Sequence, residues 1–148
     1  MVSNFSSRGP SRRYEGFKPD VAAPGVDITS AATNSEVHYK TWSGTSMAAP
    51  HVAGVVALLK SKYPGLTVEQ ARDIVRQGVK GMVPVGENCQ VDDSTYPNNQ
   101  VGYGRIYAPA CLEALKKITS PAWNVTARGE SLGFILLAIL FAYITVSV

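Results

Sequence analysis

The chain has 148 residues, 45% of them hydrophobic and 17% charged, and its 14 Lys and Arg against 11 Asp and Glu give a formal charge of +3. This balance suits a packed globular domain and excludes a disordered, fibrous or low-complexity chain. The basic excess is too slight and too scattered to argue for a nucleic-acid partner: Lys60, Lys62, Lys80, Lys116 and Lys117 read as solvated helix ends.

Taken in chain order, residues 2–6 read as a short strand, and a loop rich in Arg, Gly and Ser follows over residues 8–16. The block Lys18-Pro-Asp-Val-Ala-Ala-Pro-Gly25 ends in a Pro-Gly turn, and residues 26–31 read as a second strand. His38, followed by Tyr39-Lys-Thr-Trp42, belongs to a strand or hairpin. Gly44-Thr-Ser-Met-Ala-Ala-Pro-His-Val-Ala-Gly54 then opens a helix expected over residues 45–62. Met47, Ala48, Ala49, Val52, Ala53, Val55, Val56, Leu58 and Leu59 cover most of its circumference, so burial nearly all round is expected. Pro50 falls early, where a missing N–H costs least. Ser46 sits at the mouth of this helix, beside the unpaired N–H groups that open every α-helix, and these together with the macrodipole favour negative charge there. A hydroxyl so placed can attack a carbonyl and help hold the resulting oxyanion.

A second helix starts at Thr67-Val-Glu-Gln70, a capping box in which Thr67 and Gln70 bond each other's backbone N–H, with Leu66 stapled onto Ala71. Val68, Ala71, Val75, Gly78, Val79 and Met82 form its buried stripe, opposite a solvated face of Glu69, Arg72, Asp73 and Arg76. Gly102-Tyr-Gly-Arg-Ile106 precedes a last helix over residues 108–117. Cys89 and Cys111 flank a loop rich in Asn, Asp and Pro, and are either a disulfide or two free thiols.

The blocks Ser3-Asn-Phe-Ser-Ser-Arg-Gly-Pro10, Lys18 to Gly25, Gly44 to Gly54 and, more weakly, Gly102 to Ile106 resemble the subtilisin-like serine proteases in order and spacing, over residues 3–115. The resemblance implies an α/β fold, a three-layer arrangement with a parallel sheet and helices on both faces, of which this chain would be the C-terminal portion. It implies serine-type endopeptidase chemistry on protein or peptide substrates with Ser46 as nucleophile, and an oxyanion hole drawn from Ser46, Thr45 and an upstream Asn. It brings no metal and no cofactor.

In subtilisins the triad runs Asp, His, Ser along the chain, so the first two belong upstream of Ser46. The residues before Ser46 contain no Asp-Thr-Gly or Asp-Ser-Gly, no His-Gly-Thr-His, and His38 as their one histidine. A missing N-terminal half of the catalytic domain is therefore expected, the lack of a signal peptide fits it, and the chain alone is expected to be inactive. His51 lies five residues after Ser46, which on a helix points it about 140° away; the family pattern makes it a structural core histidine behind the nucleophile. Tyr107 stands where the family usually carries Asp or Asn. It cannot cap the last helix and should forgo about 1 kcal/mol. A secretory enzyme favours the Cys89–Cys111 bridge, worth roughly 3 kcal/mol by chain entropy. The same compartment suits the sequon at Asn124, whereas the one at Asn4 lies inside a motif.

The expected layout is a partial catalytic domain over residues 1–118, a linker over 119–130 and an uncharged hydrophobic tail over 131–148. As a helix the tail would span about 27 Å against a hydrocarbon core of about 30 Å. Its leading reading is a C-terminal membrane anchor, giving a secreted or membrane-anchored product. Behind it stand a packed strand or helix, a lipid-anchor attachment signal, and a mistranslated end. Against the endopeptidase stands a second class of function, a non-catalytic membrane-associated remnant or interaction module.

Overall fold

The computed structural model describes residues 2–13, 15–33, 38–81, 95–119 and 146–147. The strands are β1 (Val21–Ala22), β2 (Ile28–Ala31), β3 (Tyr39–Trp42), β4 (Val79–Lys80), β5 (Arg105–Ile106) and β6 (Val146–Ser147), and the helices are α1 (Thr45–Lys62), α2 (Val68–Gln77) and α3 (Ala108–Ile118). One sheet has the order β4-β5-β1-β6, with β1 parallel to both its neighbours and β4 antiparallel to β5. β2 and β3 form a separate antiparallel hairpin. Residues 2–6, expected as a strand, instead make a turn closed by Ser6 N–H donating to the Ser3 carbonyl at 3.1 Å.

The main core lies where the three helices meet β1. A stripe of Ala48, Val52, Val56 and Leu59 on α1 packs with Ala71, Ile74 and Val75 of α2, with Cys111, Ala114 and Leu115 of α3, and with Val21 and Ala23. Successive strand residues face opposite sides of a sheet, so Ala22 turns the other way and packs with Val2 and Val101. Two expectations are corrected here. The described sheet is mixed, and its second face is covered by loop residues where helices on both faces were expected. α1 is buried on one stripe only: Ser46, Pro50, His51, Gly54, Ala57 and Leu58 are exposed, because the described residues supply a packing partner to one side of the helix alone.

The N-terminus of α2 has the expected capping box, with Gln70 N–H donating to Thr67 Oγ1 at 3.2 Å and Thr67 N–H donating to Gln70 Oε1 at 3.0 Å. Its C-terminus is set by contact. A Cβ on Gly78 would lie 2.2 Å from Cys111 Sγ, so α2 and α3 approach this closely only because residue 78 is glycine. Cys111 is a free, fully buried thiol whose S–H donates to the Gly78 carbonyl at 3.3 Å. The expected bridge to Cys89 is therefore not formed; Cys89 itself lies outside the described residues. α3 begins at Tyr107 without a side-chain cap, as its aromatic side chain dictates.

Arg76 was expected on a solvated face, yet it reaches the buried Asp20: its Nε–H donates to Oδ1 at 3.1 Å while Lys18 Nζ donates to Oδ2 at 2.6 Å. A buried carboxylate needs such partners. The pair ties α2 to the residue that enters β1. Gly102, at φ 61, lets the next loop pass so close that a Cβ would sit 2.1 Å from the Asp20 carbonyl oxygen.

The hydrophobic tail does not run as one helix to residue 148, because Val146–Ser147 pairs with β1 as a strand. Residues 120–145, including all but the first residue of the expected linker, Asn124 and most of the expected membrane span, lie outside the described residues. Among the described residues no helix is long and apolar enough to cross a membrane.

Candidate active site

Ser46 is the second residue of α1, directly after the N-cap Gly44 and Thr45. The N–H groups of Thr45 and Ser46 have no carbonyl four residues back within the helix; the first intrahelical bond runs from Met47 N–H to the Gly44 carbonyl at 2.9 Å. Two free donors and an exposed hydroxyl thus share one helix end, where the macrodipole adds a partial positive charge. That arrangement suits a group that becomes anionic.

The turn carrying Ser46 is held from below. Gly44 N–H donates to the Gly25 carbonyl at 2.7 Å, so the chain leaving β1 fixes the residue that caps α1. Beside it, Asp27 N–H donates to Ser43 Oγ at 2.8 Å, and Ser43 Oγ–H donates to Asp27 Oδ1 at 3.2 Å. Asp27 has φ 52, a left-handed conformation that Asp enters more readily than most residues. The hairpin register, with Ile28 opposite Trp42 and Thr29 opposite Thr41, carries these contacts outward, and the two threonine hydroxyls bond at 2.7 Å.

Asp27 and Ser43 were not singled out from the sequence. Extending the hairpin by one position beyond Ile28 and Trp42 sets them opposite each other, but the sequence alone does not pair the strand after Pro24-Gly25 with residues 39–42.

His51 is exposed rather than a core residue, since it stands on the uncovered side of α1. Its need is met locally: Nδ1 lies 2.9 Å from the Met47 carbonyl, which can only accept, so Nδ1 carries the proton. The histidine therefore bonds its own helix and not Ser46. His38 lies at the open end of the hairpin, exposed, with its backbone carbonyl accepting from Ala32 N–H at 2.8 Å. Among the described residues, no side chain forms a hydrogen bond with Ser46 Oγ.

The subtilase family model matches residues 1–104. Among curated proteins the chain is 37% identical over 117 residues to Bacillopeptidase F of Bacillus subtilis, covering 77% of this chain and 7% of that protein. It is 39% identical over 108 residues to the Minor extracellular protease Vpr of the same organism, covering 70% of this chain and 13% of Vpr. With the subtilisin-like protease SBT4.14 of Arabidopsis thaliana it shares 33% identity over 132 residues, 80% of this chain and 17% of that one. The solved Clostridium perfringens CspB protease matches with a TM-score of 0.63 and 34% identity, over 80% of this chain and 24% of CspB. The chain thus spans less than a quarter of the length of these relatives, yet most of its own residues align with them. With the ordered Ser, Asp and Gly blocks and the serine-bearing helix mouth, these matches establish that the chain belongs to the subtilase family.

Proposed function

We propose that this chain carries the nucleophile-bearing part of a secreted serine endopeptidase domain, in which Ser46 Oγ attacks the scissile carbonyl and forms an acyl-enzyme. One observation carries this reading: an exposed serine hydroxyl stands at the N-terminus of α1 beside donors that have no intrahelical acceptor. The Ser46 N–H, with Thr45 beside it, would receive the oxyanion, an interaction of a kind that contributes about 10²–10³-fold to turnover per donor.

The hydroxyl needs a base to take its proton. Neither ring nitrogen of His51 bonds Ser46 Oγ, Nδ1 donating to the Met47 carbonyl instead, so the reading calls for an imidazole, its orienting carboxylate and the further oxyanion donor from outside these 148 residues. Residues 1–118 would then be a partial catalytic domain and residues 119–130 the link to the tail. Proteins or peptides are the substrates, and the chemistry calls on no metal or cofactor. The second reading, a non-catalytic module, is favoured by one observation alone: Ser46 Oγ has no hydrogen-bonded base among the described residues.

Turnover of a fluorogenic peptide separates the two. The chain alone should show none. Joined behind a subtilase segment supplying Asp, His and Asn, it should turn over, and Ser46→Ala should abolish this by a factor on the order of 10⁶, as loss of the serine does in subtilisin. A folded joined protein with no Ser46-dependent turnover would leave the non-catalytic reading standing.

A further inference from the structure

The first turn of the chain supports an inference that rests on the secretion proposed above and is independent of Ser46 being a nucleophile. Ser6 N–H donates to the Ser3 carbonyl at 3.1 Å, closing a turn whose two central residues are Asn4 and Phe5. Both flanks are fastened to the molecule: Val2 is 5% exposed and packs with Ala22 and Val101, and Ser6 is 4% exposed. Between these anchors the tip stands clear. Asn4 is exposed and Phe5 is 50% exposed, and among the described residues no side-chain hydrogen bond holds the Asn4 amide.

Asn4-Phe-Ser6 reads Asn-X-Ser with X other than Pro, the pattern that accepts an N-linked glycan on the surface of a secreted protein. Its place inside a block shared with the subtilases does not bar that modification. In the fold it is Val2 and Ser6 that pack and the backbone that closes the turn, so the Asn4 side chain is left without a structural task. A large polar group attached there would meet solvent and not the core. Its first sugar would stand beside Phe5 and cover apolar surface that otherwise faces water.

We propose that Asn4 is an N-glycosylation site, with its glycan carried at the tip of this turn. The donor is an oligosaccharide held on a polyprenyl diphosphate. Asn4 Nδ2 attacks its C1: the C1–N bond forms as the C1–O bond to phosphate breaks, the polyprenyl diphosphate departs, and the amide nitrogen gives up one proton. The transferring enzyme reads the hydroxyl of the sequon serine. Ser6 is buried in the folded chain, so transfer precedes the packing of this residue, and the exposed Asn4 lets the folded chain keep the sugar.

The test sends the full 148-residue chain, carrying Asn124→Gln, into a eukaryotic secretory pathway behind a cleavable signal peptide, which leaves Asn4 in the one remaining sequon. Because the signal peptide enforces entry, the result reads the site whether or not the secretion reading holds. Chains carried into the lumen are denatured and treated with peptide N-glycosidase F in heavy-oxygen water, and mass spectrometry reads the label left at residue 4. The label should be present, should fall at least tenfold in Ser6→Ala, and should persist in Ser6→Thr, which keeps the hydroxyl. None of these readouts needs the variant to fold. The glycosylated chain and the same chain trimmed to its first sugar should also show the same helical circular dichroism. An unlabelled residue 4 in lumenal chains, a label that survives Ser6→Ala, or helix lost in the glycosylated form alone would overturn the proposal.

Discussion

The two sides of α1 carry nearly the same kinds of residue and meet opposite surroundings. Ala48, Val52, Val56 and Leu59 are buried against α2, α3 and β1. Pro50, His51, Gly54, Ala57 and Leu58 are in solvent, Leu58 being 58% exposed against 1% for its neighbour Leu59. Ser46 belongs to the uncovered side. The difference teaches that an apolar circumference states what a helix can bury, while the partner surfaces state what it does bury. Within the described residues the helix that bears the serine is packed along one stripe, and the hydroxyl is exposed.

The sharpest way to break this comparison is to truncate the two adjacent leucines separately. Leu59→Ala leaves a cavity at the centre of the helical core and should cost about 2–5 kcal/mol in chemical denaturation. Leu58→Ala should change stability by less than about 0.5 kcal/mol, as exposed substitutions usually do. Equal costs for the two would mean that the open side of α1 is covered after all.

A smaller effect tests the buried side from its chemistry. Burial raises the Cys111 thiol from 9.0 to about 11, against the lowering effect of its backbone hydrogen bonds. The folded state therefore holds this proton more tightly than the unfolded state. Stability from this group is complete below pH 9 and is lost as pH rises from 9 towards 11, by about 3 kcal/mol. Other groups titrate there too, so the comparison is with Cys111→Ala. The pH-dependent loss should be steeper in the unaltered chain by that amount. An identical slope in the two would contradict a buried, protonated thiol.

Smaller still is the cap of α2. Thr67→Ala removes the hydroxyl that accepts from Gln70 N–H and should cost about 1 kcal/mol in the same denaturation experiment. Thr67→Ser, which keeps the acceptor, should cost a few tenths at most. A loss as large for serine as for alanine would show that the methyl group rather than the hydrogen bond matters.

The parts legible in the sequence were those set by local chemistry. The bounds of α1 follow from Gly44 and the apolar run up to Lys62, the cap of α2 from Thr67 and Gln70, and the uncapped start of α3 from Tyr107. The position of Ser46 at a helix mouth was legible for the same reason. Long-range pairing was not. Arg76 reads as solvated by helical spacing, and only the fold brings Asp20 beneath it. The disulfide expectation for Cys111 rested on compartment and composition, whereas its surroundings are set by the approach of α3 to Gly78. The tail reads as a membrane helix by hydropathy because its run of residues is apolar and carries no charge, whereas Val146–Ser147 pairs with β1 as a strand. The family pattern implies a core role for His51, and its exposure follows from which neighbours the described residues supply.

The proposed nucleophile, Ser46, waits for a base. A fluorophosphonate that reacts only with activated serines, read by mass spectrometry of the peptide containing residue 46, tests this most directly. The 148-residue chain alone should remain unlabelled, and the chain joined behind a segment bearing the Asp, His and Asn should carry one adduct, on Ser46, absent from the Ser46→Ala protein. Labelling of Ser46 in the chain alone, or an adduct elsewhere in the folded joined protein with Ser46 untouched, would contradict it.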